Sequence, residues 1–345
     1  MASKQNPKHD PLLHDFELPM RAIYYPLGFS VEIATNCNEV LLAAQESWGH
    51  FHKTFSGRIL RICIGVLDDG SAICAVPPVV RARRGLIARV ADANNFSMSD
   101  VERGFAFAWL TRATVADKAY LRWHFIEGIS WDLLDPYLTP VHAACVRKDD
   151  CGILLCGDSG AGKTSLAYIC ALKGWTYLTD DSCCLVRGGH DRTVIGNPYQ
   201  IRFRASAVDL FPELRDHCPK LRVNGEKVGE IVFELATASL PRIVITTRSF
   251  VDYVIFLNRN YDGSASLIPF SKITALRWFE QVICCSEKKI DNVHRAALRK
   301  LVSAEIFELR YADLDSAIEE LETLAAACRT SASRTSASLE DSNSV

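Results

Sequence analysis

Eight consecutive residues, from Gly157 to Thr164, have the types and the spacing of a phosphate-binding loop. They read GDSGAGKT and fit the Walker A pattern G-x-x-x-x-G-K-[ST]. Glycines let the backbone turn so that several N–H groups point at one phosphate, and the N-terminus of the following helix attracts anions. Lys163 supplies an ammonium for the terminal phosphates of a nucleotide, and the Thr164 hydroxyl is suited to ligate Mg²⁺.

A glycine-rich turn that merely joins a strand to a helix is the alternative interpretation of these residues. The four fixed positions would match by chance in about one chain of this length in a hundred. The match also lies between a predicted strand and a predicted helix, which is the context that a phosphate loop needs. The sequence therefore predicts that nucleotide binding involves Gly157, Asp158, Ser159, Gly160, Ala161, Gly162, Lys163, Thr164 and Ser165.

Asp180 and Asp181 form a carboxylate pair at the end of the next apolar strand. Two close carboxylates push each other's pKa apart, which suits one of them to act as a base. They could also hold Mg²⁺, and we assign Asp180 together with Thr164 to the metal. A solvated turn or a helix cap is the structural alternative for an Asp-Asp pair.

His142 is the third candidate, and it lies in the apolar stretch Pro140–Val146. A single histidine in such a stretch is more often a hydrogen-bonded core residue than a catalytic one. Sequence physics alone therefore leaves both interpretations of His142 open.

The elements that would position these residues follow a strand–loop–helix–strand order. A continuous apolar run over 152–156 predicts a buried strand, and the spacing of Leu166, Ile169 and Cys170 predicts a helix over 163–173. A strand over 175–178 then leads into Asp180. This order is the βαβ plan of an α/β nucleotide-binding core. Further along, the sequence predicts helices over 271–286 and 289–303, a strand near 306–309 and an amphipathic helix from about 313.

The chain of 345 residues is long enough for about two domains. We predict a strand-rich mixed α+β region over 1–138, whose role the sequence does not reveal, with one or two helices over 105–134. The nucleotide-binding domain is predicted over 139–328. The Ser/Thr/Ala-rich segment 329–345 is predicted to be disordered.

Composition excludes several classes of protein. Apolar residues make up 48% and charged residues 23%, which is ordinary globular usage and argues against fibrous and wholly disordered chains. The formal net charge of -2 gives no electrostatic reason to expect nucleic acid or an anionic membrane as a partner. No apolar run is long enough to span a bilayer, and the N-terminus lacks the apolar region of a secretory signal. We therefore expect a cytoplasmic protein.

The 13 cysteines include the adjacent pairs Cys183-Cys184 and Cys284-Cys285. No two of them stand in a C-x-x-C spacing, so neither a zinc ribbon nor a thioredoxin-type motif is supported. Their number is odd, and we expect reduced, mostly buried thiols.

The three candidate features together resemble the catalytic domain of the HPr kinase/phosphorylase family of bacterial protein-serine kinases. That family has a histidine fifteen residues before the loop GDSGxGK[ST] and an Asp pair that begins seventeen residues after the loop lysine. Here His142 precedes Gly157 by fifteen residues, and Asp180 follows Lys163 by seventeen. The resemblance covers about residues 140–260 and includes the strand over 254–259 that ends in Asn-Arg.

The resemblance implies a phosphoenolpyruvate-carboxykinase-like P-loop fold, and a kinase that uses ATP with magnesium to phosphorylate a serine hydroxyl. Asp181 would be the general base, and Asp180 and His142 would position it or share its proton. The acceptor would be a serine-bearing protein, a peptide or a small molecule. Because HPr kinases are hexamers, the resemblance also implies a homo-oligomer.

The sequence departs from the family at several positions. Ser165 stands where the family has a Glu, and the region 200–204 reads QIRFR where the family has a metal-binding Glu. Arg202 and Arg204 could contact phosphate or form a solvated strand face. Glu230 or Glu234 could supply the missing carboxylate, or be surface charges.

Two functional hypotheses follow from the motifs and the departures. The first is an ATP-dependent serine kinase of the HPr-kinase-like group. The alternative is a regulatory module that binds ATP and has weak or no catalysis. A phosphoenolpyruvate carboxykinase would need a Lys, a His and an Arg set that this chain does not offer.

Overall fold

In the computed structural model, the described residues are 17–68, 76–188, 192–216, 220–223, 231–240, 242–259, 263–283 and 292–341. The chain divides between Leu138 and Thr139 into two units, and each is described by itself. Both units combine helices with mixed sheets, so the molecule is a mixed α/β protein. No helix in the described part of the chain is both long and apolar enough to cross a membrane.

Seven strands of the N-terminal unit form one sheet in the order β1-β2-β3-β7-β6-β5-β4. Strands β2, β3 and β7 run parallel, while the other neighbouring pairs are antiparallel. The strands are β1 (Met20–Tyr24), β2 (Val31–Thr35), β3 (Leu60–Leu67), β4 (Val79–Arg83), β5 (Leu86–Val90), β6 (Phe96–Asp100) and β7 (Phe105–Thr111).

The helices of this unit lie between β2 and β3 and after β7. They are α1 (Asn38–Trp48), α2 (Arg112–Ala116), α3 (Lys118–Tyr120), a π-helix (Leu121–Glu127) and α4 (Gly128–Leu134), with a 3₁₀ turn at Pro26–Gly28. The prediction of helices over 105–134 is wrong for its first seven residues, which form β7. Ala106 and Ala108 are fully buried there, and helices α2 and α4 pack against β7.

In the second unit, the strands of the described residues form three sheets, in the orders β17-β11-β9-β10-β19-β21-β20, β18-β13-β12-β8 and β14-β16-β15. Their strands are β8 (Leu138–Val141), β9 (Ala144–Lys148), β10 (Cys151–Cys156), β11 (Thr176–Thr179), β12 (Cys183–Val186), β13 (Thr193–Gly196), β14 (Gln200–Arg204), β15 (Lys220–Val223), β16 (Ile231–Ala236), β17 (Val244–Ile245), β18 (Arg248–Phe250), β19 (Tyr253–Asn258), β20 (Ser266–Pro269) and β21 (Glu305–Arg310).

The described residues of this unit form five α-helices. They are α5 (Lys163–Leu172), α6 (Ala207–Leu210), α7 (Lys272–Val282), α8 (Asn292–Leu301) and α9 (Leu314–Asp341), with 3₁₀ turns at Pro212–Asp216 and Thr237–Ser239. Helix α9 continues beyond residue 328, whereas composition predicts disorder from 329. The segment contains neither Pro nor Gly, so nothing in it ends a helix that has already been nucleated upstream.

The core of the second unit lies where α5 and α9 pack on the seven-stranded sheet. Ile153 and Leu155 of β10 belong to the same buried cluster as Leu166 of α5 and Ile318 of α9. The intervening residue Leu154 is fully buried too. Strand β10 is therefore covered on both faces, which explains why its sequence is continuously apolar.

The elements predicted around the glycine-rich loop are confirmed as β10, α5 and β11. Their arrangement is less simple than a plain βαβ unit, because β9 lies between β10 and β11 and is antiparallel to both. The helices predicted over 271–286 and 289–303 are confirmed as α7 and α8, although 284–291 lie outside the described residues. The strand near 306–309 is confirmed as β21.

Candidate active site

The direction of β9 gathers the candidate residues at one edge of the seven-stranded sheet. Because β9 is antiparallel to β10 and β11, its first residues lie beside the last residues of those strands. His142 precedes β9, the glycine-rich loop follows β10, and the Asp pair follows β11. Three separate segments thus meet at one edge.

The loop from Gly157 to Gly162 has a backbone that only glycines adopt easily. Gly160 and Gly162 have φ angles of 90° and 98°, in the left-handed region. A Cβ on Gly162 would also stand 2.8 Å from the Tyr311 hydroxyl. Helix α5 begins directly after this loop, so the N–H groups of its first turn, which lack acceptors within the helix, lie next to it.

Lys163 points back over the loop. Its Nζ donates to the carbonyl oxygens of Gly157 at 2.8 Å and Asp158 at 3.3 Å, and the residue is only 6% exposed. Burial lowers the pKa of Lys163, while the negative charges of Asp181 and Asp158 act in the opposite direction. The ammonium is therefore held by neutral carbonyl groups in a site that an anion would stabilise.

Asp180 is a buried carboxylate surrounded by hydrogen-bond donors. Its Oδ2 lies 3.3 Å from the Thr164 hydroxyl and accepts the backbone N–H of Arg202 at 3.1 Å. Its Oδ1 accepts from the Tyr177 hydroxyl at 3.1 Å. Burial raises the pKa of Asp180 to about 6, against the lowering effect of the Arg202 N–H.

Asp181 is more exposed than Asp180 and contacts the imidazole. Nδ1 of His142 lies 3.4 Å from Oδ1 of Asp181, and both side chains are partly accessible to solvent. The negative charge of Asp181 also acts to raise the pKa of Lys163. The structure thus brings together two pairs, Thr164 with Asp180 and His142 with Asp181, and it rejects the interpretation of His142 as a buried core residue.

The two arginines of β14 have different partners. Nη2 of Arg204 donates to the Ser159 hydroxyl of the loop at 2.7 Å, whereas Nε of Arg202 pairs with Glu234 at 3.2 Å. Arg204 therefore lies at the candidate site. Glu234 forms an ion pair with Arg202, and Glu230 lies outside the described residues.

Three residues at this site were not singled out by the motifs. Tyr177 orients Asp180, and Trp278 of α7 donates its Nε1–H to the Asp158 carboxylate at 3.3 Å. The Tyr311 hydroxyl donates to the Ala161 carbonyl at 3.2 Å. Trp278 and Tyr311 come from distant parts of the chain, and no local pattern connects them to the loop.

Arg259 ends the strand that the resemblance includes, and it also lies near the loop. Its Cδ is 3.9 Å from where a Gly162 Cβ would stand.

These residues fit a nucleotide and a magnesium ion in chemical type. Among the described residues, the buried Lys163 has no carboxylate as a hydrogen-bond partner, and the loop leads into the N-terminus of a helix; together these suit a polyphosphate. Thr164 and Asp180 bring two oxygen ligands together, and a hard cation would offset the buried carboxylate charge. Ser165 lies in the first turn of α5, close to this set in the chain.

No family model matches the chain, and no curated protein matches it. A similar solved structure is the Hpr(Ser) kinase/phosphatase from Coxiella burnetii, which is 11% identical, with 56% of this chain and 98% of that chain covered and a TM-score of 0.31.

Proposed function

We propose that this protein is an ATP-dependent kinase of the HPr-kinase-like group, which transfers the γ-phosphate to the hydroxyl of a serine-bearing protein, a peptide or a small molecule. The observation that carries the proposal is the position of Asp181. Its carboxylate contacts His142 at 3.4 Å, and its charge acts on the loop lysine Lys163. This position supports the assignment of Asp181 as the base for the acceptor hydroxyl, at the same site as the proposed phosphate-binding lysine.

Phosphoryl transfer requires mainly positioning and stabilisation of charge. In this proposal, the loop amides, Lys163 and Arg204 hold the phosphates. Thr164 and Asp180 would hold Mg²⁺, which supplies charge neutralisation when bound. Asp181 accepts the proton of the acceptor hydroxyl. His142 orients Asp181 through the Nδ1–Oδ1 contact and can share that proton.

Asp181→Asn provides the test of this proposal, because it removes the base and keeps the shape of the side chain. With γ-labelled ATP and cell lysate, the wild-type protein should label an acceptor, and the variant should lose transfer by at least 100-fold. Its affinity for ATP, measured by calorimetry, should change less than threefold. Asp209→Asn, at an exposed position on α6, is the matched control and should retain transfer.

Two results would contradict the proposal. Transfer that persists in Asp181→Asn would remove the base from the mechanism. ATP binding by the wild-type chain, with no turnover that depends on Asp181, would favour the alternative of a regulatory ATP-binding module.

A further inference from the structure

Three potential metal ligands meet at the opposite end of β10 from the phosphate loop. They are Cys151, the first residue of β10, Asp252, just before β19, and Cys328 on α9. Their ligand atoms all lie within 4.8 Å of one another. Strand β10 is six residues long, so this cluster is roughly 20 Å from the loop along the strand.

The contacts around the cluster hold its members in place. Cys151 is 1% exposed, and the backbone N–H of Asp252 donates to the carbonyl oxygen of Gly152 at 2.8 Å. Oδ2 of Asp252 accepts the backbone N–H of Gly152 at 2.9 Å. A backbone donor on a ligating carboxylate is the kind of outer contact that orients metal ligands in proteins.

Acidic side chains flank the cluster. Asp150 directly precedes Cys151 in the chain, and Glu305 of β21 is paired with Tyr253, the residue that follows Asp252. Negative charges in this neighbourhood favour the binding of a divalent cation.

We propose that Cys151, Asp252 and Cys328 bind one zinc ion, with water as the fourth ligand. Two thiolates and a carboxylate are a donor set that zinc accepts in tetrahedral geometry. With Zn–S bonds of about 2.3 Å, tetrahedral ligands stand roughly 3.7 Å apart. The observed separations therefore require movements on the order of 1 Å or less. Binding releases the two thiol protons to solvent, and no oxidant or reductant takes part.

The zinc ion would fasten α9 to the sheet that carries the phosphate loop. Cys151, Asp252 and Cys328 come from three distant parts of the chain. The pairing of β10 with β19 brings Asp252 to Cys151, and the packing of α9 against β10 adds Cys328. The spacing of cysteines along the sequence excludes ribbon-type zinc motifs and has no bearing on a site assembled in this way.

The test measures zinc binding by the full chain after treatment with a chelator under reducing conditions. We expect one zinc per chain by elemental analysis and, with Co²⁺ as a probe, a thiolate-to-cobalt charge-transfer band. Losing a residue that only orients a metal ligand weakens metal affinity roughly 10- to 100-fold. Because Cys328→Ser and Asp252→Asn each change a ligand itself, each should weaken zinc affinity by more than that. Cys63→Ser, on β3 of the other unit, should bind zinc like the wild type.

Asp252→Asn keeps an oxygen for the Gly152 N–H, so it should fold even if Cys328→Ser does not. Three results would overturn the proposal. One is a wild-type chain that takes up no zinc. Another is zinc affinity unchanged in Asp252→Asn. The third is a Cys151–Cys328 disulfide found by mass spectrometry in protein purified without oxidant, since this would leave no thiolates for a metal.

Discussion

The Tyr177 hydroxyl donates to Oδ1 of Asp180 at 3.1 Å and so determines that Oδ2 is the oxygen facing Thr164. Tyr177 is fully buried and Asp180 nearly so, which makes this contact part of the core. The orientation of the candidate metal ligand is therefore set by packing, independently of any bound ion.

Lys163→Ala should lower ATP affinity at least tenfold, because it removes a charge-assisted contact to phosphate worth about 1.5–3 kcal/mol. Calorimetric titration of ATP into the full chain measures this. The matched control is Lys173→Ala, just after the same helix, where the ammonium pairs with Asp315 at 2.9 Å. An unchanged affinity in a folded Lys163→Ala protein would exclude the loop as the ATP site.

Arg204→Ala should lower ATP affinity roughly tenfold, whereas Arg202→Ala should change it less than threefold. The reason is that Arg204 contacts Ser159 of the loop, while the Arg202 guanidinium is paired with Glu234. The same titration measures both variants. If both substitutions lowered ATP affinity equally, the ion pair between Arg202 and Glu234 would not keep Arg202 from the phosphates.

The free energy of unfolding of the ligand-free protein should fall as the pH rises from about 4 to about 6. The pKa of Asp180 is raised by burial to about 6 in the folded state, above the ordinary value near 3.9 of an unfolded chain. Between these values the folded state keeps a proton that the unfolded state has lost, so a higher pH favours unfolding.

This contribution is on the order of 2–3 kcal/mol and should be absent in Asp180→Asn. Urea unfolding at a series of pH values, without Mg²⁺ or nucleotide, measures it. The exposed-site variant Asp209→Asn should follow the wild-type profile. If Asp180→Asn also keeps that profile, another group causes the pH dependence.

Arg89→Ala should destabilise the N-terminal unit by about 3–5 kcal/mol, because it leaves the Asp132 carboxylate buried without its partner. The two side chains form a two-pronged pair, with Nε–Oδ2 at 2.9 Å and Nη2–Oδ1 at 2.5 Å. Arg21→Ala is the matched control: its side chain is 65% exposed in a pair with Glu32, and its loss should cost about 0–1 kcal/mol. Urea unfolding followed by circular dichroism compares them, and similar losses would contradict the role assigned to burial.

Local patterns in the sequence were sufficient to predict the elements that carry the loop. A run of apolar residues before the glycines and helical spacing after them gave β10 and α5 nearly to the residue. They could not reveal that β9 separates β10 from β11, since strand order depends on packing across the whole sheet. They also placed a helix over β7, because aromatic and leucine-rich residues suit a buried strand as well as a helix.

The sequence motifs predicted the loop, the Asp pair and His142. They did not predict the residues that support these groups. The register of β9 with β11 shifts between Tyr177 and Thr179, and this irregularity occurs just before the Asp180 carboxylate. No sequence pattern predicts such an irregularity.

Trp278 contacts Asp158 from 120 positions further along the chain, so only the folded structure connects them. The pair Cys284-Cys285 lies outside the described residues.

The antiparallel course of β9 makes the site sensitive to strand alignment as well as to side-chain identity. Leu155 is paired with Ala144, and this pairing fixes how far His142 projects beyond the sheet. Removing one residue from the turn at 149–150 would slide β9 by about 3.3 Å and reverse the faces of its side chains. The imidazole would then lose Asp181 although every residue at the site remained unchanged, so the length of a remote surface turn constrains the chemistry.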